Sequence, residues 1–272
     1  MMDSKITVKS FFPPSVDWWI TTECNLKCSF CFGPKRNCSE SSKIRYLIAE
    51  NICLSESGYV TLCGGEPLLV PELLDILELF FKKDKKIILN TNGELLSKSR
   101  FVYKYIDTVG IPIDEYDETT HRQMRGEKTN FQNCIDEIWY NKKNTSLKLK
   151  IGTILSKVNL SYIFDIAKII KNIAPDVWLI YQFSPRGKAN TSKRKHNLSL
   201  HDFEAAVDCL LSQYPTINIS SSSLISTEGC FLIDECGFFI KPMGKNYIRY
   251  SSCLNEKIDD VWKKNIMIPL LT

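Results

Sequence analysis

The stretch CNLKCSFC places Cys24, Cys28 and Cys31 within eight positions, with Phe30 between the last two. Three soft thiolates on one loop can hold zinc or an iron-sulfur cluster. Structural zinc closes with four ligands, and Cys38, seven residues beyond Cys31, could supply the fourth. A 4Fe-4S cluster on three thiolates keeps one iron open to an outside ligand, as a catalytic metal must. Spacing alone leaves both open. A second motif is GGEP, Gly64 to Pro67. Its glycines let backbone come close to a ligand that a Cβ would exclude, and Glu66 offers a carboxylate suited to an ammonium group. Taken singly, GGEP also reads as an ordinary turn.

The elements that must position these residues follow from hydrophobic period and punctuation. VDWWIT (16 to 21) is a short apolar strand that ends just before Cys24, and YVTLC (59 to 63) is a strand that ends at GGEP. Helices are expected over 42 to 56 and over 71 to 83, the latter opened by proline in its first turn. KIILNT (86 to 91), TVGIPI (108 to 113), LKLKIGTIL (147 to 155) and VWLIYQF (177 to 183) continue the strands. Helices over 94 to 105, 130 to 142 and 159 to 173 fall between them. Six strands alternating with five helices predict parallel pairing with right-handed crossovers, in a doubly wound or barrel-like sheet. Both motifs then lie on one carboxyl edge.

The rhythm breaks after Phe183. Beyond it come the basic stretch SPRGKANTSKRKHN, a helix over 199 to 212, a serine run over 220 to 223, and a hairpin around Glu235, Cys236 and Gly237. The expected division is a core over 1 to 185 and an extension over 186 to 272 that closes the barrel.

Composition bounds the function. With 272 residues, 44 % of them apolar, the chain can bury a substantial core. No apolar run approaches a membrane span and the N-terminus lacks the hydrophobic block of a signal peptide, so a cytoplasmic protein is expected. Eleven cysteines in such a chain read as thiols and metal ligands, not disulfides. A net charge of +4 permits an anionic substrate but falls short of what duplex nucleic acid demands.

CNLKCSFC matches the C-x3-C-x-aromatic-C pattern of the radical S-adenosylmethionine enzymes, and CGGEP resembles the glycine-rich strand that holds the cofactor's methionine amino group in that superfamily. The resemblance implies a partial (β/α)6 TIM-type barrel with a small C-terminal α+β extension. It implies that Cys24, Cys28 and Cys31 ligate three irons of a 4Fe-4S cluster while S-adenosylmethionine chelates the fourth. Reductive cleavage then yields a 5'-deoxyadenosyl radical that abstracts a substrate hydrogen. An external electron donor such as flavodoxin or ferredoxin is implied with it. Gly64, Gly65, Glu66 and Pro67, with Asn92 in NTNG and Asp114 in IPID, correspond to cofactor-binding positions; Asn92 and Asp114 also read as a cap or turn former. Arg122 and Arg125, read as lying in the next loop, could each pair with the cofactor carboxylate, and Arg125 is also a candidate for the substrate. Gln182, assigned to the cofactor, and Ser184 and Arg186, assigned to the substrate, follow the sixth strand and should face the mouth.

Residues 107 to 262 further resemble viperin-like nucleotide dehydratases, with Lys150 in KLKIGTIL, the strand VWLIYQ and the hairpin CFLIDECGFF. That likeness implies a nucleoside triphosphate held by basic groups, Lys150 among them, and hydrogen supplied by a tyrosine. The chain departs at DWW, where an Asn-x-His pattern is usual, at Tyr59, where a basic residue is common, and at Phe231, where tyrosine is expected. SPRGKA and the I-D-x-x-G…KP pattern resemble instead maturases or epimerases of ribosomally made peptides. Cys230, or else Cys236, could donate a hydrogen atom in such chemistry; a small core residue is the commoner fate. Outside enzymology, a structural zinc module or an electron-transfer protein remains, and both leave GGEP and the six βα units unexplained.

Overall fold

The computed structural model describes residues 13–34, 41–223 and 231–267. Its centre is a run of parallel strands taken in chain order: β1 (Val16–Thr21), β2 (Tyr59–Gly64), β3 (Lys86–Asn90), β4 (Thr108–Pro112), β5 (Lys148–Leu155) and β6 (Val177–Gln182). Crossovers run through α1 (Ser42–Leu54), α2 (Leu73–Lys82), α3 (Glu118–Arg125), α4 (Phe131–Asn144) and α5 (Ile163–Ile173). This is an α/β fold of the partial TIM-barrel type. Strands beyond residue 186 join the same sheet at both ends. After α6 (Lys193–His196) and α7 (Leu200–Gln213), β7 (Ile219–Ser222) pairs parallel with β6. On the other side β8 (Leu232–Ile233) pairs parallel with β1, and β9 (Phe238–Met243) and β10 (Asn246–Ser252) extend it antiparallel before α8 (Ile258–Met267).

Period explains the layers. α2 buries Leu73, Ile76, Leu77 and Phe80, and α5 buries Ile163, Ile166, Ala167, Ile170 and Ile173, the i, i+3, i+4 stripe of a helix lying on a sheet. The strands alternate: Leu149, Ile151, Thr153 and Leu155 of β5 are buried beneath the helices, whereas Lys150, Gly152 and Ile154 between them are half-buried on the opposite face. Side-chain oxygens of Ser41, Asp117, Asn130 and Ser199 cap α1, α3, α4 and α7.

Four elements differ from the sequence reading. Residues 94 to 105 form two 3-10 turns, not a helix. Pro71 precedes α2 instead of lying in its first turn. Arg122 and Arg125, read as loop residues, belong to α3, whose polar sequence ETTHRQMR hides its period. The serine run is a strand, β7, because pairing with Leu179, Ile180 and Tyr181 overrides serine's weak preference for strands. No helix among the described residues is long and apolar enough to cross a membrane.

Candidate active site

The site is built where β1 and β2 end. The Gly65 N–H donates to Thr21 O at 2.7 Å and the Glu66 N–H to Glu23 O at 2.7 Å, tying the start of the cysteine loop to β2. A Cβ on Gly65 would lie 1.9 Å from Glu23 O, and one on Gly64, at φ +125°, 2.4 Å from Thr21 O. The room the glycines leave is filled by this backbone, so they clamp the cysteine loop. Pro67 is buried and opens a 3-10 turn. Glu66 is fully buried; its carboxylate accepts from the Leu68 N–H at 3.1 Å, the Thr91 hydroxyl at 2.7 Å and the Asn92 N–H at 2.8 Å. Burial pushes its pKa up and the three donors oppose that. The carboxylate thus orients the β3 turn that carries Asn92.

The three thiols lie close enough for charge on one to disfavour charge on another. Cys24 is exposed, and Cys28 and Cys31 are half-buried. The Leu26 N–H points at Cys24 Sγ from 3.4 Å, and Asn92 Nδ2 lies 3.8 Å from that sulfur while donating to Asn25 Oδ1 at 2.8 Å. Burial pushes the Cys28 thiol up to about 12, and Arg125, with Nη1 at 4.0 Å from Sγ, pulls it down. Amide and guanidinium donors around soft sulfurs fit a cluster bound as thiolates. Cys38 lies outside the described residues.

Arg125 is held in turn. It is 6 % exposed, and Asp114 Oδ2 accepts from its Nε at 2.8 Å and also from its Nη2. Asp114 Oδ1 accepts from the Ile154 N–H at 2.6 Å. Both carboxylate oxygens therefore serve to hold Arg125 beside Cys28. Arg122 lies on the exposed side of α3, paired with Glu118 at 2.6 Å, and is not brought to the thiols.

The segment after β6 clasps the cysteine loop from the other side. Lys188 N–H donates to Gly33 O at 3.0 Å, the Ser192 hydroxyl to Ser29 O, and Gly187 N–H to Lys245 O at 3.1 Å. Gly187 has φ +54°, and a Cβ there would sit 2.2 Å from Gly33 O. His196 spans Ser29 Oγ at 2.8 Å and Ser156 Oγ at 3.2 Å, with its ring stacked on Phe183. Nothing in KRKHN marked that histidine as a support. Gln182 is buried and donates to Leu198 O at 3.1 Å. Ser184 Oγ is buried with no hydrogen-bond partner among the described residues, and Arg186 directs its N–H to Ser184 O at 2.8 Å.

Residues 19–138 match the model of the Radical SAM superfamily. Those residues form a radical SAM domain, and the chain is an enzyme. An S-adenosylmethionine-dependent nucleotide dehydratase of Flammeovirga pacifica is 26 % identical over 263 residues, covering 89 % of this chain and 87 % of that protein. One from Fibrobacter sp. is 28 % identical over 274 residues, covering 89 % and 81 %. Among solved structures, Streptococcus suis SuiB bound to precursor peptide SuiA superposes with a TM-score of 0.76 at 17 % identity, over 93 % of this chain and 65 % of that one. anSMEcpe with bound AdoMet and a Cp18Cys peptide gives 0.71 at 18 % identity, over 92 % and 80 %. At such identity these structures speak for the fold alone. S-adenosylmethionine and an iron-sulfur cluster are the cofactors to which this domain points in general.

On the other face of its strands the protein carries polar groups, most of them at half-buried positions. Ser15 Oγ donates to Asp17 Oδ1 at 3.2 Å and lies 3.2 Å from Thr61 Oγ1. Burial raises the pKa of Asp17 and lowers that of Lys150, and each charge favours the other. Asn90 Oδ1 is buried without a partner among the described residues. It would sit 2.3 Å from a Cβ on Gly110, with Lys150 Cε at 3.1 Å, so that glycine admits both side chains. The sequence reading named Lys150 but not its partner Asp17, although DWW flagged the position, and it missed Asn90. The Phe231 ring packs on Phe239 at 4.8 Å and Trp262 at 5.2 Å in the core. Cys230 lies outside the described residues. Cys236 sits in the β8–β9 turn, its Sγ 4.0 Å from Glu235 Oε1.

Proposed function

We propose that the three thiols of Cys24, Cys28 and Cys31 hold one 4Fe-4S cluster, and that the enzyme uses it with S-adenosylmethionine on a nucleoside triphosphate, in a dehydration of the viperin-like kind. The observation that carries the reading is the convergence of three thiols, Asn92 and Arg125 at the carboxyl ends of β1, β3 and β4. Bound there and reduced, such a cluster would supply the electron for reductive cleavage of S-adenosylmethionine. The chain's own residues do the rest. Glu66 fixes the turn that presents Asn92 to Cys24. Asp114 holds the Arg125 guanidinium beside Cys28, where it favours thiolate. The 187–196 clasp fixes the far end of the cysteine loop. Lys150, on the inner face, is the cation for a phosphate. An electron donor of the flavodoxin or ferredoxin class is external, and the core over 1 to 185 carries the cofactors.

The full-length likeness to proteins named nucleotide dehydratases supports the substrate class. Asp17 favours a second reading, a peptide substrate, because a carboxylate beside Lys150 offsets the positive charge a triphosphate needs.

The test is anaerobic. Protein reconstituted with iron and sulfide, given S-adenosylmethionine and dithionite, should form 5'-deoxyadenosine, and CTP, UTP or GTP should stimulate it. Cleavage that no nucleotide alters moves the substrate to peptides. Replacing Cys24, Cys28 and Cys31 together by alanine should abolish cluster absorbance and cleavage; an intact cluster in that variant would overturn the ligand assignment.

A further inference from the structure

We propose that Glu94, His121 and Cys134 form a second metal site, for a single divalent ion of the zinc class, apart from the three-thiol loop. One carboxylate oxygen, one imidazole nitrogen and the thiol sulfur lie within 4.8 Å of one another. They come from three elements: the turn after β3, α3 and α4. Among the described residues no other three His, Cys, Asp or Glu residues gather their ligand atoms so closely.

The surroundings point to a ligand. His121 is fully buried, and its Nδ1 has no hydrogen-bond partner among the described residues. A buried ring nitrogen left unpaired is destabilising, a penalty that metal ligation removes. Its Nε2 lies 2.9 Å from Thr129 Oγ1, and that hydroxyl also lies 2.9 Å from Glu94 Oε1, so Thr129 orients both. The Glu94 carboxylate is further fixed by the Asn130 N–H at 2.6 Å and Asn133 Nδ2 at 3.1 Å. Cys134 is fully buried, and its thiol donates to Asn92 O at 3.4 Å.

The donor set chooses the ion. One thiolate, one imidazole and one carboxylate suit zinc, whose ligand distances of about 2.0 to 2.3 Å need only a small inward movement from the present spacing. Binding releases the Cys134 proton, and thiolate plus carboxylate then neutralise the dication. Arg125 is nearby, but its charge is committed to Asp114. Glu94 is half-buried, which leaves the site open on one side for a fourth, water ligand. The ion would pin the Asn92 turn to α3 and α4 from the side away from the thiols.

The experiment uses cluster-loaded protein equilibrated with zinc and passed over a desalting column with a weak chelator. Elemental analysis should find about one zinc per chain in addition to the cluster iron, and zinc-edge X-ray absorption should show a single sulfur neighbour at about 2.3 Å. Glu94→Gln and Cys134→Ser should each lower zinc retention at least about tenfold with iron unchanged. Glu94 is half-buried, so its variant tests the site even where the cysteine variant folds poorly. The proposal is overturned by an absence of retained zinc, by several sulfur neighbours, which would place the ion on the cysteine loop, or by retention at the wild-type level in both variants.

Discussion

At the scale of single residues, the chemistry depends on charges buried in pairs. Asp114 and Arg125 are 0 % and 6 % exposed, and removing one partner leaves the other buried and unpaired, at a cost of about 3 to 5 kcal/mol. Asp114→Asn should therefore lower the unfolding free energy by that order. It should also release Arg125 from Cys28, so that iron retained after dialysis falls, as iron analysis beside a denaturant titration will show. Glu115 is a second case. It is 1 % exposed, and burial, with Asp114 and Asp117 nearby, pushes its pKa up to about 8 against the opposing pull of Thr120. Between pH 4.5 and about 8 the folded protein holds a proton that the unfolded chain has lost, so stability falls as pH rises through this window. Glu115→Gln removes the dependence. Denaturant titrations should find the variant close to wild type at pH 5 and more stable than it at pH 8; parallel curves would reject the raised pKa.

At the scale of elements, the site is a loop gripped from two sides. GGEP holds its start and residues 187–196 hold its end, each by backbone hydrogen bonds made possible where a glycine lacks a Cβ. Gly187→Ala combines a left-handed backbone, costing about 1 kcal/mol, with a clash against Gly33 O that only a shift of the cysteine loop relieves. We expect a Tm lower by a few degrees, on the scale of about 2–4 °C per kcal/mol, and faster loss of iron to a chelator. Unchanged iron loss would separate the clasp from the cluster site. The sequence made GGEP visible because its residues are contiguous. The clasp was not visible, because SPRGKA reads as a basic loop and its partners Ser29 and Gly33 lie over 150 residues away.

At the scale of the whole molecule, the strands form one ten-stranded sheet with β1 inside it, flanked by β2 and β8. Removing residues 231 to 272 would bare the long edge of β1, an apolar strand with unpaired backbone groups, and such edges aggregate. A chain ending at 230 should be found mainly in the insoluble fraction; a soluble, cluster-binding product would show that β8–β10 and α8 are dispensable.

The sequence by itself determined the βα alternation, the carboxyl-edge position of both motifs and the three thiols, because hydrophobic period and close spacing are local properties. It also placed Lys150 on the correct strand. What only the tertiary structure decided are the pairings across the chain: Arg125 with Asp114 and Cys28, Asp17 with Lys150, His196 between Ser29 and Ser156, and Glu94 with His121 and Cys134. Each joins residues at separations that no local period encodes. Which of two arginines three positions apart reaches the thiols depends on the face that α3 turns to the sheet. Packing sets that face: Met124 and Arg125 are buried while Arg122 stays in solvent.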